Sequence, residues 1–244
     1  KSLTNPVDAE YTARATYWKG ETAFQLNEYT DALRSYINFQ NLPASEVLEE
    51  GKNIDYQIAY TYFKQKEYTK AAESFNRYVK KANTDAEKLN DAYLRLGDTY
   101  FVTSAYQKAV DAYLKSIDLN SKTADYATFQ AAVSYGFVQN NNQKITLLNK
   151  VVNSYPNSSY KDDALYVMGT TYTSMNQPNK AIESYDKLIK DLPNSSFVPR
   201  ALLKKGLIYY NENQIEEALK TFKLAVKNYP NTPIAQEAVQ NARQ

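Results

Sequence analysis

Few side chains in this sequence could do covalent or acid–base work. The adjacent carboxylates Asp162/Asp163 and Glu216/Glu217 are the closest approach to a general acid–base pair. Each pair stands at the start of an expected helix, where acids complement the positive end of the helix dipole, and neither implies a shared pocket. The chain has no histidine and no cysteine, which removes imidazole chemistry, thiolate nucleophiles and zinc sites built on those ligands. It has no glycine-rich phosphate loop and no serine elbow. Asn140-Asn141-Asn142 reads as a polar turn. The expectation is a non-enzyme with no cofactor, no metal and no catalytic residue.

What remains is recognition. Among the aromatic residues are 23 tyrosines, 9 phenylalanines and one tryptophan. Tyrosine suits half-buried positions, with the ring packed and the hydroxyl near water, so a chain with much interface between small units would use many. A formal charge of +2 argues against a nucleic-acid partner, which calls for Lys and Arg gathered on one face. The ends differ: residues 1–51 hold four Lys/Arg and eight Asp/Glu, residues 199–244 seven and four. No apolar run approaches the roughly 18 residues of a membrane span. The chain opens at Lys1 rather than Met and reads as a processed or excised segment, so any membrane attachment would come through residues ahead of Lys1.

The elements that would position a recognition surface follow from a repeat. A small residue, an alanine twelve positions later and a large apolar residue four beyond that recur as Gly20/Ala32/Tyr36, Ala59/Ala71/Phe75, Gly97/Ala109/Tyr113, Gly169/Ala181/Tyr185 and Gly206/Ala218/Phe222. A fourth unit fits less well, with Ala132, Lys144 and Leu148. A tyrosine follows the small residue by three in five units, at Tyr62, Tyr100, Tyr135, Tyr172 and Tyr209. The spacing predicts pairs of antiparallel helices, in which the small residue (position 8 of the unit) faces the alanine (position 20) where the helices approach. Apolar residues at three- and four-residue steps give one stripe per helix, as in Tyr93, Leu96, Tyr100, Tyr113 and Ile117. One hairpin cannot bury such a stripe, so neighbours must stack to make a core.

Boundaries agree. Tyr155-Pro156-Asn157-Ser158-Ser159, Leu192-Pro193-Asn194-Ser195-Ser196 and Tyr229-Pro230-Asn231-Thr232-Pro233 each stop a helix with proline and offer Ser or Thr to cap the next. The predicted units are 7–44, 52–84, 90–121, 125–157, 162–194 and 199–231, with a terminal helix 232–244, as a single solenoid over 1–244. Asn231–Gln244 begins another first helix and stops, as a cap or as the cut end of a longer array.

These positions resemble the tetratricopeptide repeat family over about residues 13–240. The resemblance implies an all-α, right-handed α-solenoid of about six hairpins plus a C-terminal helix. Spacings of 39, 38, 35, 37 and 37 between the position-20 residues exceed the family's 34, with the extra residues at Leu42–Asn53 and Ala82–Asn90. Long units with a Tyr-Pro-Asn-Ser linker are similar to repeats of Gram-negative envelope proteins, the Tol–Pal-associated periplasmic protein and the barrel-assembly lipoprotein. That likeness implies a periplasmic or outer-membrane-associated scaffold; a cytoplasmic one is the alternative.

In the family, partners lie on a concave wall built from positions 2, 5, 6, 9, 12 and 13 of each first helix. Carried over, this wall holds Asn53, Tyr56, Gln57, Tyr60, Phe63 and Lys64 in the second unit, and Asp91, Leu94, Arg95, Asp98 and Phe101 in the third. It continues through Tyr126, Phe129, Gln130, Val133 and Phe137, then Asp163, Tyr166, Thr170, Arg200, Lys204 and Tyr210. Of these, Leu94, Phe129 and Val133 read better as packing. Rings interleaved with hydrogen-bonding groups suit a protein or peptide segment. The family's carboxylate clamp is incomplete: Arg200 and Lys204 match its last pair by type, but Tyr17 and Glu21 replace the first. The alternatives are a structural spacer within a longer repeat protein and, more remotely, a carbohydrate-binding module. Lys144 at the alanine position and Gly136 inside a helix predict a hinge or change of curvature at 132–146.

Overall fold

The computed structural model describes residues 6–81, 85–119 and 122–242, with the side chains of residues 6 and 7 excepted. The expected unit ends at 84 and 121 and the last two residues of the terminal helix lie outside the described residues, as does part of the Ala82–Asn90 insertion. Among the described residues all regular structure is helical. The chain divides into two compact units, Lys1–Val138 and Gln139–Gln244. The boundary falls inside the fourth repeat, within the 132–146 stretch singled out above.

The first unit holds the helices α1 (Pro6–Gln25), α2 (Tyr29–Gln40), α3 (Glu49–Lys52), α4 (Ile54–Lys64), α5 (Tyr68–Val79), α6 (Ala86–Val102), α7 (Tyr106–Asp118) and α8 (Ala124–Phe137). The second holds α9 (Asn141–Ser154), α10 (Lys161–Ser174), α11 (Pro178–Asp191), α12 (Val198–Asn211), α13 (Ile215–Asn228) and α14 (Pro233–Asn241). Within each unit successive helices pack as hairpins stacked on their neighbours, α1/α2, α4/α5 and α6/α7 in the first, α10/α11 and α12/α13 in the second. The extra residues between the first and second repeats fold as a 3-10 turn, Pro43–Glu46, followed by α3. A Cβ on Gly51 would run into the Ser45 carbonyl, so only glycine fits there.

The seams contain the expected residues with one correction. Ala32, Ala71, Ala109, Ala181 and Ala218 are buried, as are Tyr36, Phe75, Tyr113, Tyr185 and Phe222. The small residue at position 8 is fixed by the ring at position 24 rather than by the alanine at position 20. A Cβ on Gly20 would come within 2.8 Å of the Tyr36 ring, and one on Gly97 within 2.5 Å of the Tyr113 ring. Gly169 and Gly206 are closed in the same way by Tyr185 and Phe222. A flat ring laid against bare backbone fills the space between two helices more closely than two methyl groups would.

The turns inside the hairpins share one geometry. Asn27, Lys66, Ser104, Gln139, Asn176 and Asn213 all have φ between 55 and 63°. At Asn27 the amide donates to the Phe24 carbonyl (3.0 Å) and the next amide, Glu28, reaches back to Ala23 (2.8 Å). The same two bonds recur at Lys66/Glu67, Ser104/Ala105, Asn176/Gln177 and Asn213/Gln214. This is a Schellman ending, which satisfies the last carbonyls of the first helix and turns the chain into the second.

The linker serines differ from expectation. Thr232 is an N-cap, accepting the Ala235 amide at 3.1 Å ahead of Pro233. Ser158 and Ser195 instead accept the amides of Tyr160 and Phe197, both at 3.1 Å, and those aromatic residues occupy the N-cap positions. Two extra residues after the proline move the serine out of capping reach and into a local side-chain turn.

Candidate functional site

The helices α1, α4, α6 and α8 carry the residues at the six wall positions of the first unit. Their side chains form connected polar clusters. Tyr56 donates its hydroxyl to Asp91 Oδ2 at 2.7 Å. Arg95 lies between Asp91 and Asp98, with Nε 3.4 Å from Asp91 Oδ1 and Nη1 donating to Asp98 Oδ2 at 2.9 Å. Asp98 Oδ1 accepts the hydroxyls of Tyr113 (2.8 Å) and Tyr126 (2.9 Å). Toward the first hairpin, Gln57 Nε2 donates to Glu21 Oε1 (2.6 Å) and Tyr17 Oη (3.2 Å), while Tyr36 donates to the same Glu21 oxygen at 2.6 Å.

Position 9 and position 24 therefore work as a pair. An acid at position 9, Glu21 or Asp98, receives the hydroxyl of a buried position-24 tyrosine, Tyr36 or Tyr113. Where position 24 is Phe75 or Phe222, position 9 is Tyr60 or Leu207 and no acid is needed. Burial first, and the neighbouring acid second, push the Tyr36 and Tyr113 hydroxyls far above the ordinary tyrosine range. In the fifth repeat Thr170 stands at position 9, so no acid there receives the buried Tyr185 hydroxyl.

Of the other sequence-predicted residues, Asn53 accepts the Tyr78 hydroxyl at 3.2 Å. The Tyr60 ring lies among Tyr56 (5.8 Å between centroids), Phe63 (6.2 Å) and Phe24 (6.1 Å), with Lys64 Nζ 5.7 Å above it. Phe101 packs edge-on to Tyr106 (5.4 Å) and Phe137 (5.5 Å). Gln130 is half-buried. Leu94 is buried, as a packing residue should be. Tyr56 is a strut as much as a surface group, its ring also meeting Phe75 and Tyr78 at 6.2 and 5.5 Å. In the second unit Tyr166 stacks on Phe197 at 4.9 Å, and Thr170 donates to the Val167 carbonyl at 2.9 Å. Arg200 and Lys204 are exposed and, among the described residues, carry no ion pair.

The repeat ahead of the residues singled out by sequence has the same positions. Arg14, Tyr17, Trp18, Glu21 and Phe24 fall on the same positions of α1, and the repeat arithmetic alone could have found them. Trp18, the only tryptophan, is 57% exposed and meets the Tyr17 ring edge-on at 5.4 Å.

Of the two acid pairs, Asp162/Asp163 is tied into the fold. Asp162 accepts the Ser195 hydroxyl at 2.7 Å, and burial followed by the Asp162 charge raises the Asp163 carboxyl. Among the described residues no three acids gather as a metal site, and no helix is long and apolar enough to cross a membrane.

Residues 9–175 match the family model YfiO, outer membrane lipoprotein. The chain belongs to the YfiO outer membrane lipoprotein family. Two further stretches of this YfiO-family chain, 163–195 and 200–232, match a tetratricopeptide repeat model. No curated protein sequence matches it significantly. Similar solved structures include the MamA protein, 24% identical over 76% of this chain and 98% of that one, TM-score 0.61. YrrB, a TPR protein with an unusual peptide-binding site, is 20% identical over 76% and 89%, TM-score 0.61. The C-terminal part of a TPR repeat-containing protein from Cytophaga hutchinsonii is 14% identical over 93% of both chains, TM-score 0.65. These identities speak for the fold alone, and the fold is the helix-hairpin solenoid expected from the repeat.

Proposed function

We propose that this YfiO-family protein is a non-catalytic scaffold of the bacterial envelope, attached to or near the outer membrane, that holds protein segments along the inner wall of its hairpins. The observation that carries the reading is the family match over residues 9–175, whose description is an outer membrane lipoprotein. The tetratricopeptide matches and the peptide-binding site named for YrrB support the use of the wall. In the first unit the wall comprises Asn53, Tyr56, Gln57, Tyr60, Phe63, Lys64, Asp91, Arg95, Asp98, Phe101, Tyr126 and Gln130; in the second, Tyr166, Thr170, Arg200 and Lys204. Rings anchor the segment and polar groups set its register.

Trp18 is a built-in reporter for the test, because it is the only tryptophan, is exposed and sits at a wall position. Arrayed peptides from envelope proteins should include some that shift its emission with micromolar midpoints. Phe63→Ala should weaken them, while Lys223→Ala, on the exposed face of α13, should not. A set of peptides none of which moves Trp18 or loses affinity in Phe63→Ala would remove the wall from consideration.

A further inference from the structure

The fourth repeat, α8 and α9, is built from different residue types than the others. Every other repeat has alanine at position 20 and a buried ring at position 24, namely Tyr36, Phe75, Tyr113, Tyr185 or Phe222. The fourth has Lys144 and Leu148 at those positions. A ring fills the space between paired helices more fully than leucine does, and an ammonium resists removal from water. The residues that lock the other hairpins are therefore missing from this one.

Each of its helices is tied to the unit it belongs to. α8 packs on α7, Tyr126 donates to Asp98 at 2.9 Å, and the Phe137 ring stacks on Tyr106 at 4.3 Å and meets Phe101 edge-on. Just ahead of α8, Thr123 accepts from Asn90 at 3.0 Å. α9 packs on α10, and Lys187 Nζ of α11 lies 3.5 Å from Asn153 Oδ1. The start of α9 is also self-sufficient. The second helices of the other repeats follow Glu28, Glu67, Ala105, Gln177 and Gln214, none of which caps with its side chain. α9 follows Asn140, whose Oδ1 accepts the Gln143 amide at 3.2 Å. A helix with its own cap keeps its first turn when the chain ahead of it changes direction.

From this we propose that the turn Val138–Asn140 is a joint, at which the chain bends while each compact unit keeps its own packing. Hinges of this kind are a few loop residues that absorb backbone rotation between bodies that stay rigid. The division at Val138/Gln139 falls inside a repeat rather than between two, where the substitutions at positions 20 and 24 and the side-chain cap of α9 also fall. Bodies joined without a large apolar interface move relative to each other by default, and Lys144 and Leu148 supply less apolar surface than the alanine and ring they replace. The joint needs no particular occupant of the wall, so it stands apart from the reading above.

The chain has no cysteine, so two introduced ones carry all of a spin label. The test is pulsed electron resonance on the full chain labelled at Lys115→Cys and Lys223→Cys, one exposed site in each unit. The pairs Glu73→Cys/Lys115→Cys and Glu183→Cys/Lys223→Cys, also at exposed sites, report within a unit. The distance distribution between units is expected to be at least about twice as wide as either distribution within one. Lys144→Ala with Leu148→Phe restores the residue types of the second repeat, Ala59, Ala71 and Phe75, around Ala132. It should narrow the between-unit distribution by about half, with circular dichroism confirming the fold. Lys144→Ala alone should narrow it part of the way, which keeps the test open if the added ring is not accommodated. A between-unit distribution no wider than those within the units would overturn the joint. So would a wide distribution that neither folded variant narrows.

Discussion

At Gly97 the absence of one carbon decides how two helices meet. A methyl group there would stand 2.5 Å from a ring that cannot swing away, because Tyr113 is buried and its hydroxyl is tied to Asp98. Gly97→Ala is therefore expected to destabilise by about 1–3 kcal/mol in urea unfolding. Combining it with Tyr113→Leu, which vacates the ring, should recover part of that loss as a measurable coupling between the two sites. Asp55 is the other residue with a large local effect. It is 3% exposed and accepts from Lys81 (2.6 Å), Arg77 (3.1 Å) and Gln40 (3.0 Å). Burial alone would raise its carboxyl, but the Lys81 and Arg77 bonds outweigh burial and hold it below the usual carboxylate value. A folded value below the unfolded one of about 3.9 gives stability that is present above that pH and lost as pH falls through the folded value. Asp55→Asn should lower stability at neutral pH by about 1–2 kcal/mol, since the exposed Arg77 and Lys81 can return to water, and flatten the acid limb of the stability profile.

At the scale of the element, the hairpin turns set a backbone demand that the sequence meets unevenly. Asn occupies the left-handed position at Asn27, Asn176 and Asn213, but Lys66, Ser104 and Gln139 bear the cost of a side chain at φ near 60°. Lys66→Gly should stabilise by up to about 1 kcal/mol, read as a higher thermal midpoint, because glycine carries no Cβ penalty there. On α9, Lys144 stands where the other repeats place alanine, and burial depresses its ammonium. Its folded value lies below the unfolded one of about 10.4, so the penalty is full below the folded value and disappears as pH rises toward the unfolded one. Lys144→Ala should raise stability at neutral pH by a few tenths to about 1 kcal/mol and abolish that alkaline gain. An unchanged midpoint in Lys144→Ala would show that its ammonium reaches water at no cost.

For the whole molecule, the abundance of buried tyrosine rings makes alkali a general denaturant. Burial, the largest cause in each case, pushes Tyr17 and Tyr78 up to about 12 and drives Tyr36, Tyr56 and Tyr113 higher still. Folded hydroxyls that hold their protons more tightly than unfolded ones contribute no pH dependence below about 10 and lose stability as pH rises through the shifted values. The expected outcome is cooperative unfolding above pH ~10, with a shallower slope in Tyr36→Phe and Tyr113→Phe. Hydroxyls titrating near 10 by absorbance, without loss of helix, would contradict this.

The helices, their pairing and the small-and-aromatic seam were legible in the one-dimensional pattern, because a hairpin that must bury one stripe on each helix imposes its period directly on residue type. Position arithmetic likewise assigned the family's wall positions on α4, α6 and α8, and the same count carried one repeat back reaches the α1 segment around Trp18. Three things required the folded chain: which ring each glycine accommodates, which wall charges are spent on one another, and where the two compact units divide. Each depends on distances between residues far apart in sequence. Asp98 and Tyr126 lie in different repeats, yet a 2.9 Å hydrogen bond joins them. A repeat period fixes the kind of residue at each position, whereas the partner of each polar group is set by packing between neighbouring repeats.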